Sequence, residues 1–129
     1  MGENAAEPAG IPGHGPSLDI ADVPAREVVQ TTAVHLMSAA AVQLGLAEDL
    51  PEHRDLDEAR TLINALAGLL DAAVPRLGHH HAAPLRDGLR SLQLAFRDAS
   101  AVPDAPGEAP GERYTGPVAP SPPSRRVQP

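Results

Sequence analysis

DLDEARTLINALAGLLDAA, residues 55–73, sets apolar side chains at Ala59, Leu62, Ile63, Leu66, Leu69, Leu70 and Ala73. Gaps of three and four residues put them on one face of a helix, and a strand would need alternation. Asp55 predicts the start, because its carboxylate can accept from the Glu58 amide while Glu58 reaches back in a variant capping box. Pro75 predicts the end, since it disfavours helical geometry in Val74. Gly68 inside this helix costs about 1 kcal/mol against Ala, which points to a close helix contact there.

On its C-terminal side the next helix is predicted from near Pro84 to about Ser100, with Leu85, Leu89, Leu92, Phe96 and Ala99 inward and Arg86, Asp87, Arg90, Arg97 and Asp98 outward. On the other side a helix is predicted from near Pro24, whose fixed φ suits a first helical position, to Gly45, a left-handed cap with Leu46 making a hydrophobic contact behind it. Val29, Ala33, Leu36, Ala40 and Leu44 form its main stripe, broadened by Val34, Met37 and Ala41. Short connections between three such helices predict antiparallel neighbours. The expected fold is all-α, a small three-helix up-down-up bundle with disordered N- and C-terminal tails. Its helices are placed at about 24–44, 56–74 and 84–100 within a domain of residues 23–100.

The tails are assigned from composition. Of 15 prolines, three fall in residues 1–22 and eight in residues 101–129. Residues 1–22 are acidic, interrupted by Gly and Pro, and have too little apolar surface to offset the entropy of ordering. Residues 101–129 read the same way, with a polyproline II bias near the end. No internal repeat is apparent.

Composition also narrows function. Cysteine is absent, so disulfides and thiolate metal sites are excluded, and the chain fits a reducing compartment. The residues from Met1 to Asp22 contain no basic residue and no apolar run of the secretory kind, so a cytoplasmic location is expected. All ten basic residues are Arg. A net charge of −7 repels phosphate backbones, and one Phe with one Tyr cannot build a base-stacking platform, so direct nucleic-acid binding is not expected. Val28 to Ala47 is long enough to span a membrane, yet Gln30, Thr31, Thr32, His35, Ser38 and Gln43 make it too polar to insert readily.

Candidate sites are few. His79, His80 and His81 are a weak metal candidate, because side chains of consecutive helical residues diverge by about 100° and need a further ligand from elsewhere. A polar loop leading into the last helix is the plainer reading. Glu48, Asp49, Glu52, Asp55, Asp57 and Glu58 crowd one connection without the spacing of a calcium loop, and are expected as solvated capping groups. Pro120 to Arg125 matches a PxxPxR ligand pattern. No Gly-rich phosphate loop, nucleophile elbow or HExxH motif occurs, so no cofactor and no catalytic residue is expected.

The first helix carries more apolar surface than one stripe. A second apolar row, Val28, Ala39 and Val42 with His35, lies beside the main stripe, and no charge occurs between Glu27 and Glu48. Three helices cannot conceal both rows, so Val28, His35, Ala39 and Val42 are the predicted interface. His35 there is either a hydrogen-bonded group of a helix interface or a pH switch.

VVQTTAVHLMSAAAVQLGLAEDLPEHRDLDEARTLINALAGLLDA (28–72), followed by HHAAPLRDGLRSLQLAFRDAS (80–100), resembles the bacterial family Domain of Unknown Function 1844 across essentially residues 26–100. Val34-His35-Leu36-Met37-Ser38 with Leu44-Gly45-Leu46, Asp55-Leu56-Asp57-Glu58-Ala59-Arg60 and Leu85-Arg86-Asp87-Gly88-Leu89-Arg90-Ser91-Leu92-Gln93 are its most distinctive pieces. The resemblance implies a short helical domain and brings no activity, cofactor or catalytic residue. Similar proteins of GC-rich bacteria tend to be encoded beside a translation initiation factor and ribosomal proteins, which implies a housekeeping setting. The expected function is a noncatalytic module that self-associates, or binds another protein, through its first helix. The alternatives are an accessory factor of the translation machinery and a metal-dependent or otherwise unrecognised enzyme.

Overall fold

A computed structural model describes residues 19–47 and 53–119. Three long helices, α1 (Ala25–Gln43), α2 (Leu56–Leu77) and α3 (His79–Ala99), are followed by a short α4 (Glu112–Thr115), and no strand occurs among the described residues.

Contacts along the helices establish the up-down-up order. Gln30 Nε2 is hydrogen-bonded to His81 Nδ1 at 3.2 Å, and a Cβ added to Gly88 would come within 2.8 Å of Met37 Sδ. Both pairs join residues 51 positions apart, so α1 and α3 run parallel in register. At the opposite end of the bundle Asp55 N–H donates to the Gln43 carbonyl at 2.7 Å, and Arg54 Nη2 donates to the Ala99 carbonyl at 2.6 Å. The start of α2 therefore lies beside the ends of α1 and α3, and α2 runs antiparallel to both.

The core is the predicted one, with additions. Ala33 and Ala40 of α1 with Leu44 at its C-cap, Ala59, Ile63, Leu66 and Leu70 of α2, and Leu85, Leu89, Leu92 and Phe96 of α3 are all buried. Val29, Leu36, Met37, Leu62, Leu69 and Ala73 pack against them. Leu66 and Ile63 are fully enclosed, and each such side chain contributes about 2 kcal/mol by leaving water. Val34, placed in the inward stripe by its spacing, is instead 50% exposed.

Helix ends follow the caps in part. Gly45 and Leu46 donate to the carbonyls of Val42 and Ala41 at 3.0 Å each, the paired bonds of a Schellman motif, although Leu46 itself lies exposed. Asp55 Oδ1 accepts from Asp57 and Glu58 at 3.1 and 3.2 Å. The reciprocal half of the box does not form, because the Asp55 N–H is already committed to Gln43.

Three boundaries differ from expectation. Helix α2 continues through Pro75 to Leu77, and α3 starts at His79 rather than near Pro84. Each proline deletes one backbone hydrogen bond and crowds the preceding turn. Burial of Leu77 and Ala82 rewards the extra turns, and the connection shrinks to Gly78 alone. With φ of 83°, Gly78 holds a conformation that side-chain-bearing residues rarely adopt. At the N-terminal side, Ile20–Asp22 forms a 3-10 turn capped by Asp19, so the disordered segment assigned to residues 1–22 does not extend over its last four positions.

The largest correction concerns residues 101–119, assigned to a disordered tail and in fact ordered across α2 and α3. Pro110 is fully buried, and Gly111, Glu112 and Val118 are buried with it. Composition misled here because so much of the anchoring is polar and falls on scattered residues, which no hydrophobic periodicity reveals.

Candidate functional site

The segment 101–119 forms a strap over the bundle, built on a doubled Ala-Pro-Gly-Glu at residues 105–112. Glu108 N–H donates to Ala105 O at 2.9 Å and Glu112 N–H to Ala109 O at 3.0 Å, closing two successive four-residue turns. Pro at the second position and Gly with φ of 87° and 80° at the third match type II turns. This short repeat is the signal that could have revealed order in the segment.

Glu112 holds the strap's own shape. Its Oε1 accepts from the amides of Gly107 and Ala109 at 2.8 and 3.3 Å, and its Oε2 accepts from Val118 at 2.8 Å. A carboxylate that is 4% exposed is thus satisfied by three backbone donors.

The bundle grips the strap with side chains that carry no apolar pattern. Asn64 Oδ1 accepts from Gly111 N–H at 2.7 Å. Buried Gln93 donates through Nε2 to the Pro110 carbonyl and to Thr115 Oγ1, both at 3.1 Å. Arg60 Nη2 reaches both oxygens of Asp104 at 3.1 Å while its guanidinium lies 5.1 Å from the Phe96 ring centre. Arg90 and Arg97 donate to the carbonyls of Ala119 and Val118. The close approach expected at Gly68 is made by Tyr114, whose Cζ and hydroxyl oxygen would stand 3.3 Å from an added Cβ.

The predicted interface row occupies the opposite side. Val28 is 38% exposed, His35 is exposed without a hydrogen bond among the described residues, and Ala39 and Val42 are half-buried. Thr31, Thr32 and Ser38 complete this face, and Thr32 returns its hydroxyl to the Val28 carbonyl at 2.8 Å. No charged residue lies on α1 after Glu27.

The remaining candidates are not brought together. His79, His80 and His81 lie in the first turn of α3 rather than in a loop; His80 and His81 meet edge to face, and His81 is engaged by Gln30. Among the described residues no group of three His, Cys, Asp or Glu could hold a metal ion. Glu48, Asp49 and Glu52 of the acidic connection, and the PxxPxR pattern at 120–125, lie outside the described residues. Among the described residues no helix is long and apolar enough to cross a membrane.

Fold and surface together define a small all-helical domain with a C-terminal strap and an uncharged outer helix face. The family described as Domain of unknown function (DUF1844) matches residues 27–98, and the chain belongs to that family. The match ends within α3, so the strap lies beyond it. No curated protein and no solved structure matches the chain.

Proposed function

We propose that this protein is a noncatalytic cytoplasmic interaction module, and that the outer face of α1 docks on a second copy of the chain. The observation that supports this reading is the uncharged surface running from Val28 to Val42, with Val28 38% and Val34 50% exposed. A lone surface helix ordinarily carries charge on its outer face. Burying this face against its own symmetry mate places no charged residue of α1 beyond Glu27 in the contact, so no complementary charge is required. The small core favours such coverage, since domains of this size hold a few kcal/mol from one core alone.

Sedimentation of the full chain across a concentration series tests it. Reversible association in the micromolar range is expected, weakened about tenfold or more by Val42→Glu, which would bury an unpaired charge. A monomer at every concentration, or association indifferent to Val42→Glu, overturns the reading.

A further inference from the structure

A groove of about 560 Å³ lies between α2, α3 and the strap, away from the outer face of α1. Its floor is apolar, made by Ala67, Leu70, Leu89 and Val118, and Val74 and Pro75 extend that surface along α2. Its two long walls carry opposite charge: Arg86 and Arg90 from α3 on one side and Asp71 from α2 on the other. Thr115 and Tyr114 of the strap line it as well.

The arginines are underused. Arg86 makes no hydrogen bond or ion pair among the described residues, and Arg90 makes one bond, from Nη2 to the Ala119 carbonyl at 3.3 Å. Standing one helical turn apart, the two guanidinium groups share a side of α3. Asp71 and Asp87 pair with neither of them. Such a local cationic pair, in a chain of net charge −7, faces a groove whose volume falls within the roughly 300 to 1,000 Å³ of small-molecule sites.

We propose that this groove binds a small carboxylate carrying an apolar body, with the carboxylate at Arg86 and Arg90 and the body over Leu70, Val74 and Val118. The planar donor fork of Arg matches a carboxylate's two oxygens. Asp71 sets the direction, because its charge repels the anionic end toward α3. A bare phosphate would leave the apolar floor unused and carry more charge toward Asp71. Since the strap supplies one wall, the site exists only while residues 101–119 are in place. Its helical walls fall within the family match, and only the strap wall lies past it. The proposal is independent of self-association through α1.

Titration of the full-length protein with phenylbutyrate, followed through backbone amide resonances, is the test. Saturable shifts are expected at Leu89, Arg90 and Val118. Binding should fall about tenfold for the uncharged counterpart phenylbutanol and for Arg86→Ala, the size of one lost charge-assisted contact. Asp71→Asn should tighten it. Arg86 is exposed and does not hold the strap, so the variant keeps the fold, which unchanged circular dichroism would verify. Absence of saturable shifts overturns the proposal. Equal affinity for phenylbutanol removes the arginines from it, and inorganic phosphate binding as tightly at the same amides removes the apolar body; either result also defeats it.

Discussion

The side of the bundle under the strap and the outer face of α1 start from the same difficulty and end differently. Both present small apolar residues that three helices leave uncovered. Over α2 and α3 the chain supplies its own cover: Pro110 and Val118 exclude water, and Asn64, Gln93, Arg60, Arg90 and Arg97 hold them down. Val28 and Val34 stay exposed among the described residues, and Val42 is half-buried. The contrast teaches that an apolar face alone does not reveal its covering. On one side the polar residues around the face do so, because Asn64 and Gln93 would be idle without the strap. On the other Thr31, Thr32 and Ser38 mark no partner within the chain.

Substitutions can break that comparison at either end. The largest effect is expected at Glu112. Replacing it with Ala strands three backbone donors under the strap and should cost about 3 kcal/mol in urea unfolding, with faster hydrogen exchange at Gly107 and Val118. Glu112→Gln keeps the oxygen serving Gly107 and Ala109 and should cost about half as much. A strap that merely rests on the surface would show no difference between the two.

Val118→Glu comes next. Val118 is 7% exposed above the α2 and α3 groove, so an unpaired charge there should destabilise the fold by about 2 kcal/mol. By composition Val118 belongs to a tail and would serve as a harmless control for Val42→Glu; its burial removes it from that role. Asp104→Ala should be milder, about 0.5 kcal/mol in the same measurement, because the Arg60 pair is 38% and 26% exposed and solvent screens it. Smallest of all is Val34→Ser on the outer face of α1. It should leave the unfolding free energy of the dilute monomer within about 0.5 kcal/mol while weakening association in sedimentation. A larger loss of monomer stability would mean that this face is already covered from within.

Much of the bundle was legible beforehand. Helical periodicity located all three long helices, and Asp55 and Gly45 marked ends that the hydrogen bonds reproduce. The errors share a cause. A local rule makes Pro75 and Pro84 boundaries, and the burial of Leu77 and Ala82 against distant parts of the core outweighs it. Ala67 and Gln93 lie outside the predicted stripes, and both meet the strap, Ala67 beside Gly111 and Gln93 at the Pro110 carbonyl. On the functional side, the exposed row of α1 could be read from spacing. The groove lined by Arg86 and Arg90 could not, since its third wall comes from residues nearly thirty positions further along.

The amino-acid order by itself determined the helices, their apolar faces and the absence of charge along α1, because periodicity, capping and turn chemistry act over a few residues. Only the tertiary structure decided that residues 101–119 cover α2 and α3, that two prolines lie within helices, and that an Arg-lined groove opens beside the strap. Those outcomes depend on which distant groups meet. A buried amide or carboxylate is favourable only when its partner has been brought to it, and local sequence does not say where that partner is.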